Sequence, residues 1–212
     1  HGVFGMNVAP DGEIVRKLKP VFGYLHRNHE KIGENTSYLG SMPYTDRLDY
    51  FCSMTNNWAY ALSVEKLLGL EMPQRVKDIR VLLAELQRIA SHLIWIGTHG
   101  LEIGAVSMLF YAVRERELLL NINELIAGFR FFPSYIRIGG LREDLPRGFH
   151  DAVRGFLDRF PPKLDEYEDL LTRNEIYLKR TQHVGVVSKD DAVAYALVGP
   201  IARAAGSDYD VR

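Results

Sequence analysis

Along the chain, apolar positions first recur every second residue and then settle into helical spacing. Phe4, Met6 and Val8 alternate with Val3, Gly5 and Asn7, which is the period of a strand. Pro10-Asp11-Gly12 follows with turn chemistry, because proline presets φ and glycine accepts φ > 0. Glu13 to Lys19 reads as the returning strand, closed by Pro20. The rest of the pattern is mostly helical. Thr45 is expected to cap a helix from Asp46 to about Leu68, striped by Leu48, Phe51, Cys52, Thr55, Ala59 and Leu62 and stopped at Gly69. Pro73 opens a second helix through Val76, Ile79, Leu83, Leu86, Ala90 and Leu93. A third is expected from about Ala105 to Ala127, ending at Gly128. Gly139-Gly140 marks a loop, and shorter helices are expected around Arg147–Phe160 and Lys163–Thr172. Ser188 with Asp191 resembles a capping box for a helix reaching about Val198. The predicted fold class is mainly α (α+β): long packed helices with a small N-terminal β-hairpin.

Ile89 to Val113 is apolar enough to raise the question of a membrane span. It contains His92, His99, Glu102 and three glycines, Gly97, Gly100 and Gly104. A spanning helix needs about twenty apolar residues with few or no charges, and Glu102 would fall mid-span. The stretch is therefore read as a buried helix, a break near Gly97 to Gly104, and another helix.

Composition narrows the function classes. The chain has 212 residues, 47% hydrophobic, with a net charge of −1, enough for one domain or two small ones with a real core. Near-neutral charge argues against nucleic acid as the main partner. One cysteine excludes an internal disulfide framework and any metal centre held by several cysteines of this chain. No N-terminal segment reads as a signal peptide. The chain begins His1-Gly2 and ends Asp210-Val211-Arg212, and it is expected to be a piece of a longer one.

Several residues could carry chemistry. His26 and His29 stand three apart, a spacing that could share a metal on a helix, but no third ligand is implied, and hydrogen-bonded or solvated histidines at a helix start are the plainer reading. Arg47 and Tyr50 are expected on one helical face, with Asp46 and Asp49 beside them in a first turn. That turn reads either as a solvated charged cluster or as a tyrosine hydroxyl held near a cation. Glu85, Arg88 and His92 read as a structural ion-pair network. Glu102 is a lone carboxylate in an apolar region, either exposed at the helix break or a buried functional acid. Arg114-Glu115-Arg116-Glu117 reads as a solvent-exposed or inter-helix salt-bridged face. No nucleotide fingerprint or serine-hydrolase elbow is present.

Taken in order, these segments resemble the hydrogenase-like, quinone-site subunit of respiratory complex I, NADH:quinone oxidoreductase. The resemblance is carried by His1-Gly2-Val3, Gly23-Tyr24-Leu25-His26-Arg27, Pro43-Tyr44-Thr45-Asp46-Arg47-Leu48-Asp49-Tyr50, Ala61 to Gly69, Arg80 to Glu85, Arg88 to Leu93, Phe110 to Glu117, Tyr135-Ile136-Arg137-Ile138-Gly139-Gly140 and Asp208 to Arg212. Any one piece is weak; the ordered set is specific and covers essentially the whole chain. Family members are about twice this length.

The resemblance implies a [NiFe]-hydrogenase large-subunit-like helical domain over residues 23–212, with a hairpin over 1–22 contributing to the quinone site. The family's quinone headgroup sits between a histidine and a tyrosine, here His1 and Tyr50. An acid pairs with that histidine, here Glu102 in place of the usual aspartate. Arg47 falls where the family places an arginine near a terminal [4Fe–4S] cluster. That cluster belongs to a partner iron–sulfur subunit. No cofactor is expected on this chain, and NADH and FMN bind elsewhere in the complex. The implied partners are other complex I subunits, among them the cluster-bearing one and the membrane-arm subunit at the quinone channel. The implied location is peripheral, on the cytoplasmic (or matrix or stromal) face of an energy-transducing membrane. One departure stands out. Where the family often has a histidine directed toward the cluster, this chain has Phe132, which can neither hydrogen-bond nor titrate.

Other functions are less well supported by the sequence. A true [NiFe] hydrogenase needs a cysteine pair near Leu48–Asn56, where only Cys52 stands. A non-catalytic scaffold is disfavoured by the presence of His1, Arg47, Tyr50 and Glu102. A relative fed by ferredoxin or a reduced deazaflavin would keep the same residues, because donor binding lies in other subunits.

Overall fold

The computed structural model describes residues 4–210. The chain divides into two compact units, the first comprising the residues up to Ser91 with Leu118–Ala152, the second His92–Glu117 with the residues from Val153 onward.

The first unit opens with the hairpin. Strands β1 (Gly5–Asp11) and β2 (Ile14–Val21) pair antiparallel, and Gly12 takes the left-handed turn at φ 60°. The returning strand thus runs past Pro20, one residue beyond the expected stop. The register shifts between Ala9 and Pro10, a bulge placed where proline has no N–H to give the ladder. Because opposite residues share a face, Met6, Val8, Leu18 and Pro20 form one apolar side and Asn7, Lys17 and Lys19 the other.

Helices follow: α1 (His29–Glu34), α2 (Tyr38–Thr45), α3 (Ser53–Leu68), α4 (Gln74–Glu102) and α5 (Ser107–Ala127). Ser37 caps α2, its hydroxyl accepting from the Gly40 N–H at 3.0 Å. Gly69 ends α3 in the left-handed region, with the N–H groups of Gly69 and Leu70 returning to the carbonyls of Lys66 and Glu65, a Schellman closure. A two-residue ladder, β3 (Ile136–Arg137) with β4 (Gly140–Leu141), folds back near them. The core gathers Met54, Ala61 and Val64 from α3, Leu83, Ala84 and Ala90 from α4, Leu119, Ile122 and Ile126 from α5, and Tyr135, Ile136 and Phe149.

A buried ion pair ties α3, α4 and both strands of this ladder together. Arg80 on α4 donates to both oxygens of Glu65 on α3, at 2.9 and 2.6 Å, and to the carbonyls of Arg137 and Gly140. The Gly139 N–H donates to Glu65 as well, at 2.9 Å. Burial alone would raise the Glu65 carboxyl, but the bonds from Arg80 and Gly139 outweigh it and hold it below the usual carboxylate range. Glu85 and Arg88 pair one turn apart on α4, at 3.0 and 3.1 Å.

In the second unit, the later part of α4 packs on the early part of α5. It is joined by α6 (Phe149–Arg159), α7 (Pro161–Tyr167), a five-residue π-helical turn (Glu168–Thr172), α8 (Glu175–Thr181), α9 (Lys189–Ala194) and α10 (Gly199–Ala204). Ser188 caps α9 through the Asp191 N–H, as the capping-box pattern predicts, although the helix stops at Ala194. Glu115 is fully buried and accepts from Arg114 at 2.6 Å and Arg159 at 3.0 Å. The alternating-charge run is therefore of the inter-helix kind.

The expected break at Gly97 to Gly104 is corrected. Helix α4 runs unbroken through Gly97 and Gly100 to Glu102. Those two glycines are where α5 comes close: a Cβ on Gly97 would meet Ala112 and Leu109 at 3.2 Å, and one on Gly100 would lie 2.7 Å from the Met108 Cβ. The stop is Gly104 alone, at φ 96°. There the N–H groups of Gly104 and Ala105 close back on Leu101 and Gly100. No helix among the described residues is long and apolar enough to cross a membrane.

Gly100→Ala should therefore destabilise the chain by about 1–3 kcal/mol through overpacking, outweighing the roughly 1 kcal/mol that alanine gains in helix propensity. Denaturant unfolding beside the wild type checks it; a variant of equal or greater stability would show that α4 and α5 can separate at no cost.

Candidate functional site

The residues singled out around Arg47 and Tyr50 do not lie on a helix. Helix α2 ends at Thr45 and α3 begins at Ser53, so Asp46–Cys52 is an irregular turn between them. The predicted helix from Asp46, with Thr45 as its cap, is thus corrected: Thr45 closes the previous helix, its hydroxyl donating to the Met42 carbonyl at 2.7 Å. The reason lies in competing side-chain hydrogen bonds. Asp49 accepts from the Phe51 N–H at 3.1 Å, an Asx turn. The Ser53 hydroxyl reaches the carbonyls of Asp46 and Tyr50, at 3.0 and 3.3 Å. Asn56 donates to the Asp49 carbonyl at 2.8 Å, and Gln87 on α4 to that of Phe51 at 2.7 Å. Arg27 donates to the carbonyl of Arg47. The turn is held by polar side chains from α3, α4 and the segment before α1.

Arg47 is fixed from three sides. Its guanidinium donates to the Pro43 carbonyl, lies 4.6 Å from the centroid of the Phe132 ring, and stands 3.8 Å from an Asp46 oxygen. Such a cation–π contact contributes about 0.5–2 kcal/mol. Phe132, which can neither hydrogen-bond nor titrate, thus supplies a ring face under Arg47. The Tyr50 ring sits edge-on to Phe51, centroids 4.9 Å apart, with the Arg27 guanidinium 5.8 Å from its centre. Its hydroxyl makes no hydrogen bond among the described residues, so it is available as a donor.

Asp46 is the residue that sequence reasoning missed. Expected in a solvated first turn, it is wholly buried, and neither carboxylate oxygen has a hydrogen bond of ordinary geometry. Burial pushes its carboxyl up to about 6, against the pull of Asn57, Arg47, the Ser134 N–H and Arg137. The one signal available was Asn57, a polar residue that breaks the apolar side of α3. Cys52 is half-buried, and burial pushes its thiol up, away from the thiolate that metal binding or nucleophilic attack would need.

The other candidates lie elsewhere. His1 is outside the described residues. Glu102 is the exposed last residue of α4, in the second unit. His26 precedes α1 and His29 begins it, so the two do not share a helix. His29 meets Tyr44 edge-on, ring centroids 6.4 Å apart.

A raised carboxyl fixes the direction of a pH effect. The folded chain binds the Asp46 proton more tightly than the unfolded one, so this contribution to stability is full below pH 3.8 and falls as pH rises to about 6. Asp46→Asn should remove that loss and stabilise the chain above pH 6 by as much as about 3 kcal/mol. Thermal unfolding of both chains across this range checks it; an unchanged or lower melting temperature at neutral pH would mean the carboxylate is better satisfied than its geometry indicates.

The family described as respiratory-chain NADH dehydrogenase, 49 Kd subunit, matches residues 102–212. Among curated relatives, the D subunit of the NADH-quinone oxidoreductase of Citrifermentans bemidjiense is 49% identical over the whole of this chain and 54% of its own length. That of Geotalea uraniireducens is 50% identical over the same shares, and that of Methylacidiphilum infernorum 49% identical over all of this chain and 51% of its own. The chain spans about half the length of the curated relatives it matches. With half of the chain inside the family match and all of it aligned to such relatives, it belongs to the family of the 49 Kd subunit of respiratory-chain NADH dehydrogenase.

Proposed function

We propose that this chain is part of a proton-pumping NADH:quinone oxidoreductase and helps to form its quinone-reduction site. The observation that carries this reading is the Asp46–Cys52 turn, which presents a half-buried Tyr50 with an unengaged hydroxyl three residues from a fixed Arg47. The relatives' names supply the reaction. Reduction of a quinone adds two electrons and two protons, turning each carbonyl oxygen into a hydroxyl. In this reading Tyr50 donates a hydrogen bond, then a proton, to one oxygen, and His1 serves the other, paired with Glu102. The electrons come from a [4Fe–4S] cluster that a partner subunit holds, with Arg47 directed toward it. This chain supplies no cysteine set of its own for such a cluster, which fits a cluster carried by the partner. NADH and FMN bind elsewhere in the complex. A membrane-arm subunit completes the quinone channel, and the chain sits peripherally on the cytoplasmic, matrix or stromal face.

The role of Tyr50 is tested in the assembled complex. Tyr50→Phe removes only the hydroxyl, and the loss of one such bond, about 1–3 kcal/mol, should slow quinone reduction about 5- to 150-fold while assembly is kept. Wild-type quinone reductase activity in a fully assembled variant would refute the assignment.

A further inference from the structure

We infer that Asp46 is a positioning residue: its buried, ionised carboxylate anchors the Arg47 guanidinium over the Phe132 ring and so fixes the turn that carries Tyr50. This rests on the reading of Arg47 and Tyr50 given above and adds to it a residue that reading did not use.

The Asp46 carboxylate caps no helix: the residue closes α2 through its backbone N–H, and α3 begins after Cys52 with no side-chain cap. The Asn57 amide donates to the Thr45 hydroxyl at 2.8 Å, and although Asn57 and the Ser134 N–H both face the carboxylate, neither Asp46 oxygen has a hydrogen bond of ordinary geometry. A neutral asparagine would fill the same space without the cost of burying a charge. What remains is electrostatic. The groups facing Asp46 are Arg47 on its own turn, Asn57 on α3, the Ser134 N–H from the segment entering β3, and Arg137 on β3. The charged ones are both cations, and Arg47 approaches to 3.8 Å.

The opposite wall of the arginine's seat also carries strain. Phe132 and Ser134 have φ of 54° and 43°, on either side of a buried Pro133. Side chains pay for left-handed backbone, and such strain persists only where the surroundings impose it. Carboxylate and ring thus hold one guanidinium from two elements. Protonating Asp46 removes one of the three holds on Arg47 and leaves the Pro43 carbonyl and the ring, at the pH where burial has placed its titration, about 6.

The test uses the assembled oxidoreductase. Asp46→Asn should raise its melting temperature yet lower quinone reduction about tenfold at neutral pH, the scale of one lost charge-assisted contact. The acid limb of the wild-type rate profile near pH 6 should disappear, and Asp46→Glu should recover part of the rate. A carboxylate that merely supported the fold would lose stability and rate together, and that result, or a wild-type rate and profile in Asp46→Asn, would overturn the inference. Arg47→Ala separates the two levels. If it leaves the rate unchanged, the reading of Arg47 fails; if it lowers the rate and Asp46→Asn does not, only the Asp46 inference fails. Should Asp46→Asn not assemble, electron cryo-microscopy of the wild-type complex above and below pH 6 decides. Arg47 leaving the Phe132 ring at the lower pH supports the inference; the same seat at both overturns it.

Discussion

The arrangement of the first unit depends on one buried ion pair, Arg80 with Glu65. Its guanidinium joins α3 to α4 and, through two backbone carbonyls, to the β3–β4 ladder. A buried pair is weak evidence of stability, since desolvation offsets most of its attraction, but removing one partner is severe. Its effect here is positional. With Arg137 and Gly140 held against α3, the preceding loop brings Phe132 beneath Arg47 and the Ser134 N–H toward Asp46. The Arg47 seat is built from segments far apart in the chain, and this pair is what registers them.

Buried carboxylates diverge according to how they are satisfied. Glu65 accepts from Arg80 twice and from Gly139, and Glu115 from Arg114 and Arg159; both are held below the ordinary carboxylate range despite burial. Asp46 shares their burial but has no comparable bonds, and it moves the other way. Burial raises each, and hydrogen bonding to the charged form decides the outcome.

Much of the fold was legible in the sequence because it rests on local signals. The hairpin followed from alternation and Gly12, the ends of α3 and α5 from Gly69 and Gly128, and α9 from Ser188 and Asp191. The turn at Asp46–Cys52 was not legible, because the side chains that hold it, Gln87 and Arg27 among them, come from distant elements. Pro43 inside α2 concealed a helix that the pattern did not suggest. Gly97 and Gly100 were misread for a related reason: a glycine needed for close helix packing and one needed to stop a helix look the same in one dimension. Arg47 and Tyr50 were singled out through their motif, whereas the burial of Asp46 beside them depends on α3 and the loop after α5, which no spacing within the motif encodes.

The hairpin shows how an exposed ribbon is guarded against pairing with itself. Met6, Val8 and Leu18 face outward on one side of a two-stranded ribbon whose outer edges have no neighbouring strand among the described residues. A bare edge invites pairing with another chain. Pro10 and Pro20 each withdraw an N–H from the ladder, and Arg16, Lys17 and Lys19 put like charges along β2. Two copies meeting along β2 would bring Lys17 and Lys19 together, whereas Arg16 is already paired with Asp11 at 3.0 Å. The composition of β2 thus works against edge-to-edge pairing of two copies, although Met6, Val8 and Leu18 are exposed.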